Sequence, residues 1–340
     1  MRLLRRCVWQ VGVGLLALVV AIVPSLSQSQ PVELTLVGYA VARPVFARLI
    51  PEFQREWREK TGQQVTFRES YGPSAAQTRA ILAGLDADIL AQNMQTFVTP
   101  LVERGMVRPD WQRRLPNSAI PAHSFMALMT RPGNPKNIRD WADLTRADVG
   151  IVAINPKTSG NARWAVVAGY GAVLKTRGRP QAEEFVMGMV RNIRRLVNSG
   201  REATDAFVKN RIGDVMINFE NEVIFTNGQI PQDFPYIVPP VNVQVDFPVT
   251  VIDSVVDRKG TRRVAEEFTK FLFSPKAQEI YAQLGYRPIN QAVFEKHKSQ
   301  FQPVRQVYRV RDFGGWTLLD KDLFADGALF DRAQAAARRS

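Results

Sequence analysis

The sequence predicts an α/β fold in two lobes, with largely parallel sheets that are covered by helices. Apolar strand patterns alternate with helical patterns along the chain, which is the order that gives parallel sheets. The chain has 340 residues, 45% of them apolar, which is enough for about two globular units. Ligands of such folds bind beyond the carboxyl ends of the strands. We therefore expect a site where strand ends meet helix starts.

The first predicted elements follow from the spacing of apolar residues. Residues 34–37 form a strand, and the apolar residues after it recur every three or four positions, as on one face of a helix. Gly62 ends that helix, and the next strand spans 65–67. Ser74 begins a further helix and is followed by Gln77 at the spacing of a capping box.

Further strands are predicted by short apolar runs between turn-forming residues. A helix is predicted over 261–273. The remaining predicted strands span 87–91, 125–130, 149–154, 213–219 and 248–256.

The first 27 residues have the composition of a cleavable signal peptide. Arg2, Arg5 and Arg6 precede an uncharged, largely apolar run over 8–24, and small residues follow it. A transmembrane anchor is the alternative interpretation, but a run of 17 residues is short for a bilayer span. We expect cleavage after residue 27 and a periplasmic mature protein.

Composition excludes several kinds of site from the mature chain. The single cysteine, Cys7, lies in the predicted leader, which excludes disulfides, thiolate metal sites and cysteine nucleophiles. The net charge is +13, or +10 without the three leader arginines (13 − 3), but the basic residues form no long run, which disfavours nucleic-acid binding. The only histidines, His123 and His297, do not have the spacing of metal ligands. We expect no cofactor and no metal.

The run Asn-Pro-Lys-Thr-Ser-Gly-Asn-Ala-Arg at 155–163 follows an apolar strand and opens a helix. The first N–H groups of a helix have no internal partner and carry the positive end of its dipole, so they can bind an anion without a cationic side chain. An ordinary loop is the alternative interpretation, because such helix starts are common. A second junction of the same design lies at 70–77. Two junctions that face each other across a cleft would form an anion site.

Four segments of the chain carry a family resemblance; they are 61–70, 155–163, 213–222 and 312–316. They resemble the periplasmic sulfate-binding proteins of ABC importers, and the resemblance covers essentially the whole mature chain. It implies a two-lobed periplasmic binding protein type II fold with a ligand cleft between the lobes. It also implies a monomeric receptor without enzymatic activity, which captures sulfate or thiosulfate and meets the membrane only through an ABC transporter permease.

The resemblance further implies which groups hold the anion. The amide of Ala40 and the hydroxyl and amide of Ser74 would contact it from one lobe. The amides of Gly160 and Asn161 would contact it from the other. Ala40 and Asn161 replace an acidic residue and a glycine of the family, but a backbone donor survives a change of side chain. A site of donors alone accepts proton-free sulfate and leaves the O–H of a protonated phosphate without an acceptor.

Two departures from the family concern direct contacts. Phe219 stands where the family has a tryptophan whose indole N–H contacts the anion, and phenylalanine has no donor. If sulfate is the ligand, Phe219→Trp is expected to tighten binding, provided that the cleft has room. The loop 198–204 is one residue shorter than in the family, so its donor amide belongs to Gly200 or to Arg201.

A third departure is Glu69, which stands where a glutamine is expected. It is predicted to be a surface or Arg68-paired carboxylate; near the pocket it would instead repel a dianion or accept a proton from the ligand. These departures leave phosphate and molybdate as alternative ligands. A secreted hydrolase is a less favoured alternative, because the sequence offers no evident nucleophile and base.

The predicted division of the chain is discontinuous. Lobe one comprises 31–123 plus 250–340, and lobe two comprises 124–249. The chain then crosses between the lobes near 121–126 and 245–250, and these two crossings would form the hinge.

Overall fold

The computed structural model describes residues 30–231 and 233–339. The predicted signal peptide therefore lies outside the described residues. Strands are labelled here in chain order. They are β1 (Val32–Tyr39), β2 (Val65–Gly72), β3 (Ile89–Ala91), β4 (Ala122–Ser124), β5 (Met126–Thr130), β6 (Ile151–Ile154), β7 (Ile193–Val197), β8 (Val215–Phe219), β9 (Tyr236–Ile237), β10 (Val241–Val243), β11 (Val245–Asp246), β12 (Val249–Val251), β13 (Arg287–Pro288) and β14 (Gln306–Tyr308).

Helices cover the sheets and supply most of the connections between strands. They are α1 (Arg43–Thr61), α2 (Ser74–Leu82), α3 (Thr99–Glu103), α4 (Pro116–Ala119), α5 (Gly160–Arg177), α6 (Arg179–Arg191), α7 (Gly200–Thr204), α8 (Glu220–Asn227), α9 (Asp253–Lys259), α10 (Arg262–Phe271), α11 (Pro275–Gln283), α12 (Gln291–His297), α13 (Gly315–Leu319) and α14 (Leu329–Ala337).

Two larger sheets form the centres of the two lobes. The first has the strand order β12-β3-β1-β2, with β1 parallel to both neighbours. The second has the order β7-β6-β8-β5-β9, with β6 parallel to β7 and β8. The strands β1 and β6 thus lie in different sheets, as a division into two lobes requires. The residue boundaries of the lobes stay a prediction.

A small three-stranded sheet contains both of the predicted crossing segments. Its strand order is β11-β4-β13. The antiparallel strands β4 and β11 pair through Ser124 with Val245 and through His123 with Asp246. The two crossings therefore run side by side, which is a suitable arrangement for a hinge.

The C-terminal helices pack against two helices of the segment 160–191. Helix α13 lies against α5, and α14 lies against α6, while the assignment of 250–340 to lobe one stays a prediction. The rings of Trp164 and Trp316 are 4.8 Å apart, and Arg163 Nη1 lies 2.7 Å from Asp320 Oδ1. An apolar pattern predicts that a segment is helical, but it does not say which lobe its apolar face meets.

The element boundaries show where local signals suffice and where they do not. The first helix ends as predicted, with Gly62 in the left-handed conformation at φ 71°. The predicted strand over 248–256 is shorter, because α9 begins at Asp253. The carboxylate of Asp253 accepts a hydrogen bond from the backbone N–H of Arg108 and forms a salt bridge with Arg114. From the sequence alone, a short run of β-branched residues is compatible with a buried strand and also with a short buried helix.

Among the described helices, none combines the length and the apolar character needed to cross a bilayer.

Candidate anion-binding site

A small cavity lies between the two larger sheets, beyond the carboxyl ends of the parallel strands β1, β2, β3, β6 and β7. No charged side chain lines it in the described part of the chain. Its wall is therefore neutral, although the protein as a whole is basic. The lining residues are Tyr39, Ala40, Val41, Gly72, Pro73, Ser74, Asn93, Ser159, Asn161, Ser199 and Gly200.

Helix starts around this cavity supply backbone donors. The helices α2, α5 and α7 begin at Ser74, Gly160 and Gly200. A 3-10 turn begins at Ala40, and Asn161 is the second residue of α5. The amides of these five residues donate to no protein acceptor among the described residues. Unpaired N–H groups at the positive ends of helices are suited to an anion.

The hydroxyl of Ser74 does not cap its own helix. It donates to Asn93 Oδ1 at 3.0 Å, and the N-cap position is Pro73. The side chain of Gln77 donates to the carbonyl of Gly38 at 3.3 Å. The predicted capping box is therefore wrong. The helix begins at Ser74 itself, and Asn93, which is distant in sequence, supplies the hydroxyl's acceptor.

The start of α5 is packed against the first lobe. A Cβ atom on Gly160 would lie 2.3 Å from Asn93 Oδ1 and 2.7 Å from Met94 Sδ. The indole Nε1 of Trp164 donates to the carbonyl of Asn93 at 2.5 Å. The cleft is thus closed in this structure. Gly160 does not line the cavity itself, whereas its neighbours Ser159 and Asn161 do.

Asn218 links the starts of α5 and α7. Its Oδ1 accepts from Asn161 Nδ2 at 2.6 Å and from the amide of Phe219 at 2.9 Å. Its Nδ2 donates to the carbonyl of Gly200 at 3.2 Å. These bonds hold two of the helix starts at a set spacing. The sequence reasoning missed Asn218, although a polar residue at the end of the otherwise apolar strand β8 was a signal that could have found it.

Of the two candidate donors in the short loop, Gly200 lines the cavity and Arg201 does not. The guanidinium of Arg201 pairs with the buried carboxylate of Glu222 at 3.1 Å, to which Thr204 also donates. Burial raises the pKa of Glu222 to about 7, although Arg201 opposes this rise. The charge of Arg201 is therefore partnered within the protein and not directed at the cavity.

Phe219 is also absent from the cavity wall. Its side chain is fully buried and packs edge-on against Tyr39, with ring centroids 6.5 Å apart, and against Phe247 at 5.3 Å. Tyr39, in contrast, lines the cavity. Phe219 thus lies in a layer of aromatic side chains behind the wall.

We expect Phe219→Trp to destabilise the protein without tightening anion binding. The buried aromatic layer has no space for the larger ring, and overpacking of a core costs about 1–3 kcal/mol. Urea unfolding measures the loss of stability, and calorimetric titration with sulfate measures affinity. Tighter sulfate binding at unchanged stability would contradict this expectation and would favour the indole contact inferred from the family resemblance.

Glu69 lies at the surface, as one of the two predicted environments requires, and does not line the cavity. It accepts a hydrogen bond from Tyr71 Oη at 2.6 Å. The predicted pairing with Arg68 is wrong, because Arg68 Nε lies 2.8 Å from Glu33 Oε1.

The described residues do not supply the groups that a hydrolase would need at this cavity. Neither His123 nor His297 lines the cavity. The polar side chains among the lining residues carry hydroxyl or amide groups, and none carries a carboxyl group. The described residues also contain no cluster of three or more His, Cys, Asp or Glu that could hold a metal ion.

Comparison with known proteins identifies the family. A family model described as bacterial extracellular solute-binding protein matches residues 34–287. A sulfate-binding protein from Synechococcus elongatus is 42% identical over 309 residues, which cover 90% of this chain and 88% of that protein. A thiosulfate-binding protein from Escherichia coli is 39% identical over 315 residues, with 91% and 93% covered.

Solved structures agree with this assignment. The sulfate-binding protein SubI from Mycobacterium tuberculosis H37Rv matches with a TM-score of 0.78 and 33% identity, over 86% of this chain and 99% of that one. The molybdate-binding protein of Azotobacter vinelandii shares the fold, with a TM-score of 0.51 and 19% identity over 74% of this chain and 98% of that one. This chain, with its two lobes and the neutral cavity between them, belongs to the bacterial extracellular solute-binding proteins and has their type II fold.

Proposed function

We propose that this protein is a periplasmic receptor that captures sulfate, with thiosulfate as a second ligand, and delivers it to the permease of an ABC transporter. The observation that carries the proposal is the convergence of unpaired backbone amides on a closed cavity without charged walls. Such donors stabilise a dianion through helix dipoles and hydrogen bonds. The relatives that bind sulfate and thiosulfate support the same ligand class.

One observation favours a second candidate ligand, a proton-bearing oxyanion such as hydrogen phosphate. Asn161 Oδ1 is buried and has no hydrogen-bond partner in the described structure. The orientation of this amide is set by Asn218, whose Oδ1 must receive the N–H of Asn161 because its own Nδ2 donates to Gly200. The free oxygen is an acceptor that the O–H of a protonated ligand could use.

Calorimetric titration of residues 28–340 with sulfate, thiosulfate, phosphate and molybdate tests the proposal. We expect sulfate and thiosulfate to bind, and phosphate to bind much more weakly. Phosphate binding that is stronger than sulfate binding, and that is lost in Asn161→Gly, would instead favour the second candidate. A folded, monomeric protein that binds none of the four ions would refute the oxyanion receptor.

We propose that the Ser74 hydroxyl, which donates to Asn93 in this structure, turns to a bound anion, so Ser74→Ala is expected to weaken anion binding by about 1.5–3 kcal/mol, the range for a lost hydrogen bond to a charged partner. The hydroxyl supports the wall through Asn93, and the amide at the same residue faces the cavity. The unliganded protein should lose only about 1 kcal/mol of stability, because one neutral hydrogen bond is removed. Titration and urea unfolding measure the two effects, and an unchanged affinity would rule out a role of this hydroxyl in binding.

We further propose that the mature chain is a monomer and that it contacts the membrane only through the permease. Few large apolar side chains are exposed among the described residues; they are Leu82, Val307 and Leu318. Light scattering after gel filtration measures the oligomeric state, and a stable dimer would contradict this part of the proposal.

A further inference from the structure

A second cavity lies at the hinge and shares no lining residue with the anion site. Its volume is about 360 Å³, which is within the size range of small-molecule sites. The walls come from β4 and β13 of the three-stranded hinge sheet, from α12, and from the segment that leads into and follows β14.

Basic side chains line one part of this cavity, and no carboxylate does in the described structure. The basic residues are His123, Arg287 and Arg309. Arg287 is already neutralised, because its Nε lies 2.7 Å from Glu220 Oε2. The exposed guanidinium of Arg309 forms no salt bridge with a described residue, and Asp246 is the carboxyl whose pKa it influences. Arg309 is thus the available cation of the wall.

The positive charge acts on His123, which stands in the middle strand of the hinge sheet. Its cross-strand neighbours are Asp246 on β11 and Arg287 on β13. Burial, together with the guanidinium groups of Arg287 and Arg309, lowers the pKa of His123 to about 4. His123 is therefore neutral at pH 7, and its ring responds to any negative charge that enters the cavity.

Most of the remaining lining residues are apolar or aromatic, including Phe125, Phe294 and Ile289. The others carry amide side chains; they are Asn117, Gln244 and Gln291. Val307, at the rim, is 45% exposed, which is a large apolar exposure for this protein. An inorganic anion would leave this apolar surface uncovered. A neutral aromatic molecule would leave Arg309 without a counter-ion.

We propose that the hinge cavity binds a small aromatic carboxylate, with the carboxylate on Arg309 and the ring on the apolar wall. Arginine matches a carboxylate with two parallel hydrogen bonds, and covering the rim of the cavity removes apolar surface from water. The inference is independent of the identity of the oxyanion in the main cleft, because the two cavities have no residue in common.

Histidine NMR provides the test, because the chain contains only two histidines. The probe is benzoate, and the mature protein is titrated with benzoate and, separately, with the neutral analogue benzyl alcohol. We expect benzoate to shift the ring signals of His123 saturably and to raise its pKa. The signals of His297, which pairs with Glu279 outside the cavity, should stay unchanged. Benzyl alcohol should cause no saturable shift.

Two exposed arginines provide a matched pair of variants. Arg309→Gln is expected to weaken benzoate binding by about tenfold or more, since it removes the charged partner. Arg311→Gln, which alters an exposed residue outside the cavity, should bind benzoate as the wild type does. The proposal is overturned if benzoate causes no saturable shift of His123, if benzyl alcohol acts equally, or if both variants bind alike.

Discussion

Replacing Arg287 with methionine is expected to lower the free energy of unfolding by about 3–5 kcal/mol at neutral pH, the cost of removing one partner from a buried ion pair. Glu220 is fully buried, and both of its oxygens accept from Arg287, at 2.7 and 2.9 Å. Arg287 also donates to the carbonyl of Gln302 at 2.6 Å. The variant leaves a buried carboxylate without a counter-ion, next to the sheet of β11, β4 and β13.

The loss of stability in this variant should depend on pH. Burial raises the pKa of Glu220, and Arg287 opposes that rise, so the pKa climbs further when Arg287 is removed. A carboxyl group whose pKa is higher in the folded than in the unfolded state does not lower the free energy of unfolding below its unfolded-state pKa of about 4.3. Above that pH the free energy of unfolding falls, and it continues to fall until the pH reaches the folded-state pKa. The deficit should therefore be smallest in acid and largest near neutral pH.

Urea unfolding of wild type and variant at several pH values measures this deficit. Arg258→Met is the matched control, because Arg258 pairs with Asp86 at an exposed position where an ion pair contributes little. A double variant with Glu220→Leu and Arg287→Met should recover much of the stability, since it leaves no buried charge. Equal deficits in Arg287→Met and Arg258→Met would show that the buried pair is not stabilising.

Gly160→Ala is expected to weaken oxyanion binding by about 10- to 100-fold, because overpacking at a tight contact costs about 1–3 kcal/mol. The added methyl group would meet Asn93, Met94 and Phe97 at 2.3–2.8 Å in the closed cleft. These three residues belong to the other lobe. The predicted hinge would let the lobes separate without ligand and so remove the clash, and we therefore expect the unliganded variant to unfold at nearly the same urea concentration as the wild type.

Titration calorimetry and urea unfolding separate these two effects. Gly228→Ala is the matched control, since a Cβ atom there would meet no heavy atom closer than 3.5 Å. It should change neither affinity nor stability by much. Unchanged affinity in Gly160→Ala would mean that the ligand is held without the lobe contact seen at this glycine.

Several features of the site followed from local chemistry and from the family resemblance. The helix starts at Ser74 and within 155–163 were expected from small residues after apolar strands, and the structure has helices that begin at Ser74 and Gly160. The helix that begins at Gly200 was not predicted, because the sequence analysis treated 198–204 as a loop. Backbone donors depend on where a helix begins, which is a local property of the chain. The roles of the side chains of Arg201 and Phe219 were not predictable in the same way, because each depends on a partner from another element.

The sequence alone determined the α/β class, the alternation of strands and helices, and the position of the single cysteine at residue 7. Only the tertiary structure decided that Ser74 donates to Asn93, that Asn218 joins two helix starts, and that the C-terminal helices lie on α5 and α6. The physical reason is the range of the forces involved. The spacing of apolar residues and the signals that end a helix depend on a few neighbouring residues. A buried hydroxyl or amide instead bonds to the partner that the packing of distant segments brings within about 3 Å.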